Sequence, residues 1–287
     1  MITIFTPTYN RAHTLPRLYR SIQHQSLMNF EWLIIDDGST DNTENIILKW
    51  QKEAQFSIRY YKQENGGKHR ATNYASRLAR GDLFFIVDSD DYIPYNAVEL
   101  LEHYYASIKN DNSFCGVAGS KCYPNGQRVG GEVSYQVLDT DVVTYRQTLN
   151  IKGDMAEVWK PSVLREYPFP EIPGEKFVTE AIVWNEIAKK YKLRYFNKEI
   201  YTCEYLDDGL TKNIRRHHRN SPRGTMLYYI SLMKDSRFSL IKHITAAISY
   251  WRYTIRYKGK RLSPPFWAYF LFPLGYFFYL NDIKTER

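Results

Sequence analysis

Phe84-Phe85-Ile86-Val87-Asp88-Ser89-Asp90-Asp91 joins an apolar run to three carboxylates. The apolar residues that follow Gly81-Asp82-Leu83 read as a buried strand, with the acids where the strand leaves its sheet. Side chains alternate along a strand, so Asp88 and Asp90 are expected on one side and Ser89 on the other. Two converging carboxylates repel each other unless a cation lies between them. An all-oxygen ligand pair suits a hard divalent ion, Mg²⁺ or Mn²⁺, of the kind that also binds phosphates. A polar turn accounts for the same residues, since Asp and Ser favour turns and helix caps. The run by itself supports both readings.

The elements that must position these acids alternate. Ile2–Thr6 reads as a strand, and Thr14 can cap a helix to about Gln25 with Pro16 in its first turn. Glu31–Ile35 is a second strand, followed by a helix to about Ala54 that carries Ile46, Ile47 and Trp50 on one face. Ser57–Tyr61, a helix from Lys68 to Ala79, Leu83–Val87 and a helix from Asn96 to Ile108 complete the pattern. Such alternation predicts a parallel sheet with helices on both faces, and ligands of such sheets bind at the carboxyl ends of the strands. The distinctive polar clusters all fall at such ends: Thr6–Asn10, Asp36–Asp41, Asn65–Arg70 and Asp88–Asp91. Four unrelated turns at one edge are a poorer account than one shared site.

The 287 residues, 44% of them hydrophobic, can bury a full core and an appendage. The chain opens directly on a strand, without the charged leader and apolar stretch of a signal peptide, so a cytoplasmic location is expected. Cys115, Cys122 and Cys203 are odd in number and lack CxxC spacing, which predicts buried thiols rather than disulfides or zinc ligands. Residues 210–261 hold thirteen Lys or Arg and one acid, Asp235, a local +12 in a chain of net charge +8. Residues 282–287 balance, which leaves −4 for residues 1–209. A mildly acidic body, 1–209, and a basic extension, 210–287, need an anionic partner for the extension.

Thr6-Pro7-Thr8-Tyr9-Asn10, Asp36-Asp37-Gly38-Ser39-Thr40-Asp41, Asn65-Gly66-Gly67 with Ala71 and Asn73, and Asp88-Ser89-Asp90-Asp91 together resemble family 2 glycosyltransferases in order and spacing. The resemblance is strong over residues 1–110, thinner to 205 and slight beyond. It implies the α/β GT-A fold and inverting transfer of a hexosyl or N-acetylhexosaminyl group. The donor would be a nucleotide diphosphate sugar, by preference a UDP-sugar, assisted by Mn²⁺ or Mg²⁺. Thr6, Pro7 and Tyr9 would line the nucleoside pocket, with Tyr9 on the base or ribose; for Thr6 a purely structural part is nearly as good a reading. Asp36 or, by preference, Asp37 would accept the imide N–H of a uracil. Gly67, Lys68 and Asn73 would serve the donor from a helix N-terminus, where free N–H groups favour a phosphate. Asp88 and Asp90 are the implied metal ligands, with Asp88 and Ser89 also on the donor. Asp91 would orient its neighbours or touch the acceptor.

Inverting transfer needs a base for the acceptor hydroxyl. The family places it in a pair of acids at the start of a helix in the second half. Phe177-Val178-Thr179-Glu180-Ala181 fits that position, although Ala181 replaces the second acid. Glu180 is therefore the candidate base, Glu175 the fallback, and a first-turn Glu that merely stabilises the helix dipole the alternative. Asp154, ahead of a strand-like Met155–Trp159, is a candidate for acceptor contact. Asp207, Asp208 and the pair His217-His218 could approach the diphosphate; no metal role is assigned to the histidines.

Leu262 to Leu280 is a run of 19 residues without a charge, rich in Phe, Tyr and Trp and broken by Pro264, Pro265 and Pro273. Behind a row of Lys and Arg, it reads as an interfacial anchor on the inner face of a membrane. The acceptor would then be a lipid-linked saccharide. The alternative is a hydrophobic hairpin packed on the catalytic domain or, in a homodimer, on a second subunit. Two rival classes remain. A sugar nucleotidyltransferase would carry a glycine- and arginine-rich loop where Thr8-Tyr9-Asn10-Arg11 stands. A non-catalytic protein binding nucleic acid or another anionic surface would show a reader motif, which the basic extension lacks, so no nucleic-acid partner is expected.

Overall fold

A computed structural model describes residues 1–204 and 213–285 of the chain. Its strands are β1 (Ile2–Thr8), β2 (Phe30–Asp36), β3 (Ser57–Lys62), β4 (Leu83–Ile86), β5 (Phe114–Cys122), β6 (Val137–Thr140), β7 (Met155–Trp159) and β8 (Lys192–Thr202). The helices are α1 (Leu15–Gln23), α2 (Thr43–Glu53), α3 (Lys68–Leu78), α4 (Ala97–Ala106), α5 (Pro161–Glu166), α6 (Ala181–Ile187), α7 (Ile214–Asn220), α8 (Pro222–Lys234), α9 (Leu240–Thr254) and α10 (Phe272–Thr285). A 3₁₀ turn, Phe266–Leu271, leads into α10.

The eight strands form one mixed sheet in the order β3-β2-β1-β4-β7-β5-β8-β6. β1 to β4 are parallel, as the alternation predicts. The mixing lies in the half beyond β4, where β7 runs antiparallel to both β4 and β5. The parallel half is covered on both faces. Ile2, Ile4, Trp32, Ile34 and Phe85 join Leu15, Leu18 and Ile22 of α1, Ile47 of α2 and Leu101 of α4 in one core. The alternate residues Phe5, Leu33, Ile35 and Phe84 are equally buried and belong to the face that α3 covers with Ala71 and Ala75. Strands buried on both faces lose the apolar–polar alternation and read as continuous apolar runs.

Two details differ from expectation. β1 extends to Thr8, because its pairing with β2 continues to Thr8 opposite Asp36. β4 stops at Ile86, and Asp88–Asp91 is a turn in which the Asp91 N–H donates to the Asp88 carbonyl at 3.1 Å. Strand alternation therefore does not set the directions of Asp88 and Asp90; turn geometry does.

Internal packing divides the chain into two units, Met1–Pro168 with Asn185–Glu204, and Phe169–Trp184 with Tyr205–Arg287. The sequence predicts a boundary at 209. The structure also assigns 169–184 to the C-terminal unit, because Glu175 and Phe177 in that segment bond or pack with α7 and α8. Asp207, Asp208 and the boundary itself lie outside the described residues. All three cysteines are buried and unpaired. Within the second unit, Pro273 is the second residue of α10 and does not interrupt it. A first-turn proline forfeits no intrahelical bond, so the expected break falls between the 3₁₀ turn and the helix.

Candidate active site

The site is built on the carboxyl ends of β1, β2 and β4 and the amino end of α3, all in the first unit. The loop after β1 is knit to the loop after β2. The Asn10 N–H donates to Ser39 Oγ at 2.9 Å, the Ala12 N–H to Asp41 Oδ2 at 3.0 Å, and Asn10 Oδ1 accepts the Thr40 N–H at 2.8 Å. Ser39, Thr40 and Asp41 thus fix the path of the first loop.

Asp36 is fully buried. Its Oδ1 accepts the Ser39 N–H and its Oδ2 the Tyr60 hydroxyl, both at 2.7 Å. Asp37 reaches across to the loop before α3. Its Oδ1 accepts from Gln63 Nε2 at 2.7 Å and the Gly66 N–H at 2.8 Å, and its Oδ2 from the Gly67 N–H at 2.8 Å. Gly67, with φ of 96°, occupies the left-handed region that glycine tolerates, and the turn there opens α3. A carboxylate offers about four acceptor positions, so three bonds leave Asp37 one for a ligand. Asp37→Asn would set an NH₂ against a loop N–H and raise the KM for donor by roughly tenfold, since an unsatisfied buried donor costs about 1–3 kcal/mol. Initial-rate kinetics over a donor series would read it; an unchanged KM would show that the loop does not depend on Asp37.

Lys68, the first residue of α3, places Nζ 2.7 Å from Asp88 Oδ1. Arg11 Nη2 stands 4.0 Å from Asp90 Oδ2, and Arg17 Nη2 donates to the Asp90 carbonyl while Arg17 Nη1 pairs with Glu204 at 2.7 Å. Asp88 and Asp90 remain 31% and 20% exposed. Burial raises the Asp88 carboxyl, but Lys68 and then Lys121 together outweigh it, so its pKa lies below the ordinary value. Burial and the neighbouring Asp88 charge both raise Asp90. Asp91 is buried and raised to about 7 by burial and then by Asp88; its carboxylate accepts the Tyr201 hydroxyl at 2.6 Å and the Glu204 N–H at 3.1 Å. Those bonds tie Asp91 to the Tyr201 side chain and to the backbone of Glu204. Tyr201 is the hub the sequence does not reveal: its oxygen also accepts the Asp88 N–H at 3.1 Å.

The donor set suits the divalent cation. Two partly exposed carboxylates, already neighboured by Lys68 and Arg11, offer only hard oxygen atoms. Mg²⁺-type sites commonly use one or two carboxylates and complete their shell with substrate phosphates. Among the described residues no group of three or more His, Cys, Asp or Glu side chains is arranged to hold a metal by protein ligands alone.

Not every expected donor contact is displayed. Tyr9 is exposed, and Lys68 and Gly67 partly so. Thr6, Pro7, Asn73 and Ser89, like Asp36 and Asp37, are buried. Thr6 Oγ1, for example, accepts from Trp32 Nε1 at 2.9 Å. Asp154 pairs with Lys121 Nζ at 2.7 Å and Arg146 at 3.4 Å, and Arg146 also holds Glu157 at 2.8 Å. Lys121 in turn lies 4.7 Å from the centre of the Tyr201 ring. This ion cluster is thereby tied to the acidic turn through Tyr201.

In the second unit, Glu180 immediately precedes α6, its carbonyl accepting the N–H of Trp184 at 3.1 Å, and it is partly exposed. Glu175 is buried and accepts the Arg223 and Gly224 N–H groups, each at 2.8 Å, at the start of α8. It anchors the start of that helix. Glu175→Gln should cost about 1–3 kcal/mol of stability while sparing turnover per folded molecule. Urea denaturation together with a rate normalised to folded protein would check this; normal stability with lost turnover would return Glu175 to the chemistry. His218 is buried against Phe177 and Tyr253, and burial lowers its pKa to about 4.

Comparison with known proteins agrees with this geometry. A β-1,3-glucosyltransferase of Campylobacter jejuni, named for a GalNAc(5)-diNAcBac-PP-undecaprenol acceptor, is 27% identical over 75% of this chain and 70% of its own length. Staphylococcus aureus TarS 1–349 in complex with UDP-GlcNAc superposes with a TM-score of 0.58 at 17% identity, over 89% of this chain and 73% of that one. The Pyrobaculum calidifontis mannosyltransferase PcManGT, in complex with GDP-Man and Mn²⁺, gives 0.54 at 18% identity, over 97% and 80%. These two likenesses establish the GT-A-like fold. The model of glycosyl transferase family 2 matches residues 3–152, which span β1 to the acidic turn and beyond. The chain belongs to glycosyl transferase family 2 and is a glycosyltransferase that uses a nucleotide sugar.

Proposed function

We propose that the protein transfers a hexosyl or N-acetylhexosaminyl group, with inversion, from a UDP-sugar to a hydroxyl of a lipid-carried saccharide at the inner face of a membrane. The observation that carries this reading is the juxtaposition of Asp88 and Asp90 with Lys68 and the Asp37-pinned Gly66-Gly67 loop at the amino end of α3. A diphosphate between two carboxylates needs positive charge, and here Lys68, Arg11 and the positive end of the α3 dipole supply it. Tyr9, exposed at the rim, offers its ring to the base or ribose. Mn²⁺ or Mg²⁺ at Asp88 and Asp90 would neutralise charge on the departing diphosphate. The lipid-carried acceptor is inferred from the name of the Campylobacter relative, and the uracil preference from the remaining acceptor position of Asp37.

In the transfer the acceptor oxygen bonds to the anomeric carbon as the bond from that carbon to the diphosphate oxygen breaks. The electron pair leaves with the diphosphate, and the acceptor proton passes to a base. Glu180 is proposed as that base on its motif position at the start of α6. Asp154, held by Lys121 and Arg146, is proposed to accept from an acceptor hydroxyl.

The test is incubation with a panel of nucleotide sugars with and without Mn²⁺. Divalent-dependent release of UDP from one donor, increased by a pyrophosphate-linked saccharide, is expected. Release of another nucleoside diphosphate would overturn the uracil assignment, metal-independent release the metal assignment, and pyrophosphate exchange the reaction class.

A further inference from the structure

We propose that the second unit carries a preformed bilayer-docking face, made by the first turn of α9, the 3₁₀ turn and the outer side of α10, and that its partner is an anionic lipid leaflet. The inference rests on the membrane reading above and names the residues that enter the lipid.

The face is held in place and is no loose tail. Asp282 of α10 is buried and receives Arg252 of α9 in a two-pronged pair, with Arg219 of α7 at 2.8 Å. Trp251 donates its indole N–H to the Ala268 carbonyl at 2.8 Å. Gly275 lies so close to α9 that a Cβ there would collide with Trp251 and the Ile248 carbonyl. Gly275 and Asp282, seven residues apart, fix which side of α10 faces inward. The outward side should then be polar if water covers it. It consists instead of Leu274, Tyr276, Phe277 and Leu280, all exposed, flanked by Phe272 and Phe278, which also touch Trp251 and Arg252 of α9, with Asn281 and Lys284 exposed only in the last turn.

The adjoining segments extend the face. Phe266 and Phe270, whose ring centres lie 5.8 Å apart, are 79% and 74% exposed. Leu240 and Ile241 at the start of α9 are 72% and 74% exposed, and the rings of His243 and Trp267 bring that turn beside the 3₁₀ segment. Exposed large apolar residues elsewhere in the described chain are scattered, and scattered ones are ordinary; contiguous ones mark an interaction surface.

Charge selects the partner. Arg256, Lys258, Lys260 and Arg261 are exposed on the connection between α9 and the 3₁₀ turn, and Lys242 follows Ile241. A second copy of the chain would cover the apolar side chains yet bring the same cations with it, whereas an anionic leaflet satisfies both. Geometry selects the mode. No helix among the described residues is long and apolar enough to cross a bilayer. The 14 residues of α10 reach about 21 Å, short of a hydrocarbon core of about 30 Å, so the face lies in the interface.

The experiment is flotation of the full chain with vesicles of phosphatidylcholine alone or mixed with phosphatidylglycerol. Wild type should float with the anionic vesicles and release partly in high salt. The doubles Phe266→Ser/Phe270→Ser and Leu240→Ser/Ile241→Ser, on exposed side chains, should stay folded by circular dichroism and each lose about tenfold or more in partition. Wild type that never floats, or variants that float equally, would overturn the proposal. So would a wild-type dimer that the Ser variants dissolve, without lipid binding. Donor-dependent UDP release without acceptor should be unchanged in both doubles. Normal flotation of a wild type that releases no UDP would instead count against the proposed function.

Discussion

Asp90→Ala should lower sugar transfer by roughly 10³-fold or more and abolish the Mn²⁺ dependence of donor binding, because charge on the departing diphosphate is the largest electrostatic demand of the reaction. The fold should survive. The side chain is 20% exposed and faces Arg11 at 4.0 Å, a pair of little structural worth at that distance. The bond that ties this turn to Arg17 uses the Asp90 backbone carbonyl, which alanine retains. Lys68 would still pair with Asp88. The measurement is UDP release over a Mn²⁺ titration, with calorimetric donor binding beside it. A variant that keeps most of its rate, with the same Mn²⁺ dependence, would remove Asp90 from the metal site.

Glu180→Gln should cut kcat by roughly 10²-fold or more while leaving donor affinity near the wild-type value, since it preserves shape and removes only basicity. Glu180 sits at the start of α6 and is partly exposed, so the amide substitution disturbs little packing. Collapse of donor binding with normal turnover of bound donor would show Glu180 to be structural. Glu175 and Asp154 would then be the next carboxylates to test.

Much of the catalytic half was legible because its signals are local. A strand ends where its apolar run ends, a helix starts where a Gly-Gly break precedes it, and a parallel sheet puts those ends along one edge. The four polar clusters therefore pointed to one site without knowledge of any contact. The charge imbalance and the uncharged aromatic run of the C-terminal segment were equally visible, since composition needs no coordinates. Family membership followed from the same four clusters, which the match over residues 3–152 covers.

Tertiary structure decided which of those polar residues stay exposed and which are bonded to one another. Asp36 and Asp37 are adjacent and chemically identical, yet one is sealed under Tyr60 and Ser39 and the other clamps the loop before α3. Glu175 and Glu180 are five residues apart, and only the path of α8 commits the first to capping. Tyr201 lies 110 residues from Asp91 and enters the site through the pairing of β8 beside β5. The second half of the sheet shows the same limit, for β7 inserts between β4 and β5 through pairings that no local pattern encodes. Sequence by itself determined the elements, the chemistry present at their ends and the family, because propensity, periodicity and charge are short-range properties. Burial and hydrogen-bond partners are set by segments distant in the chain, and only the folded structure brings those segments together.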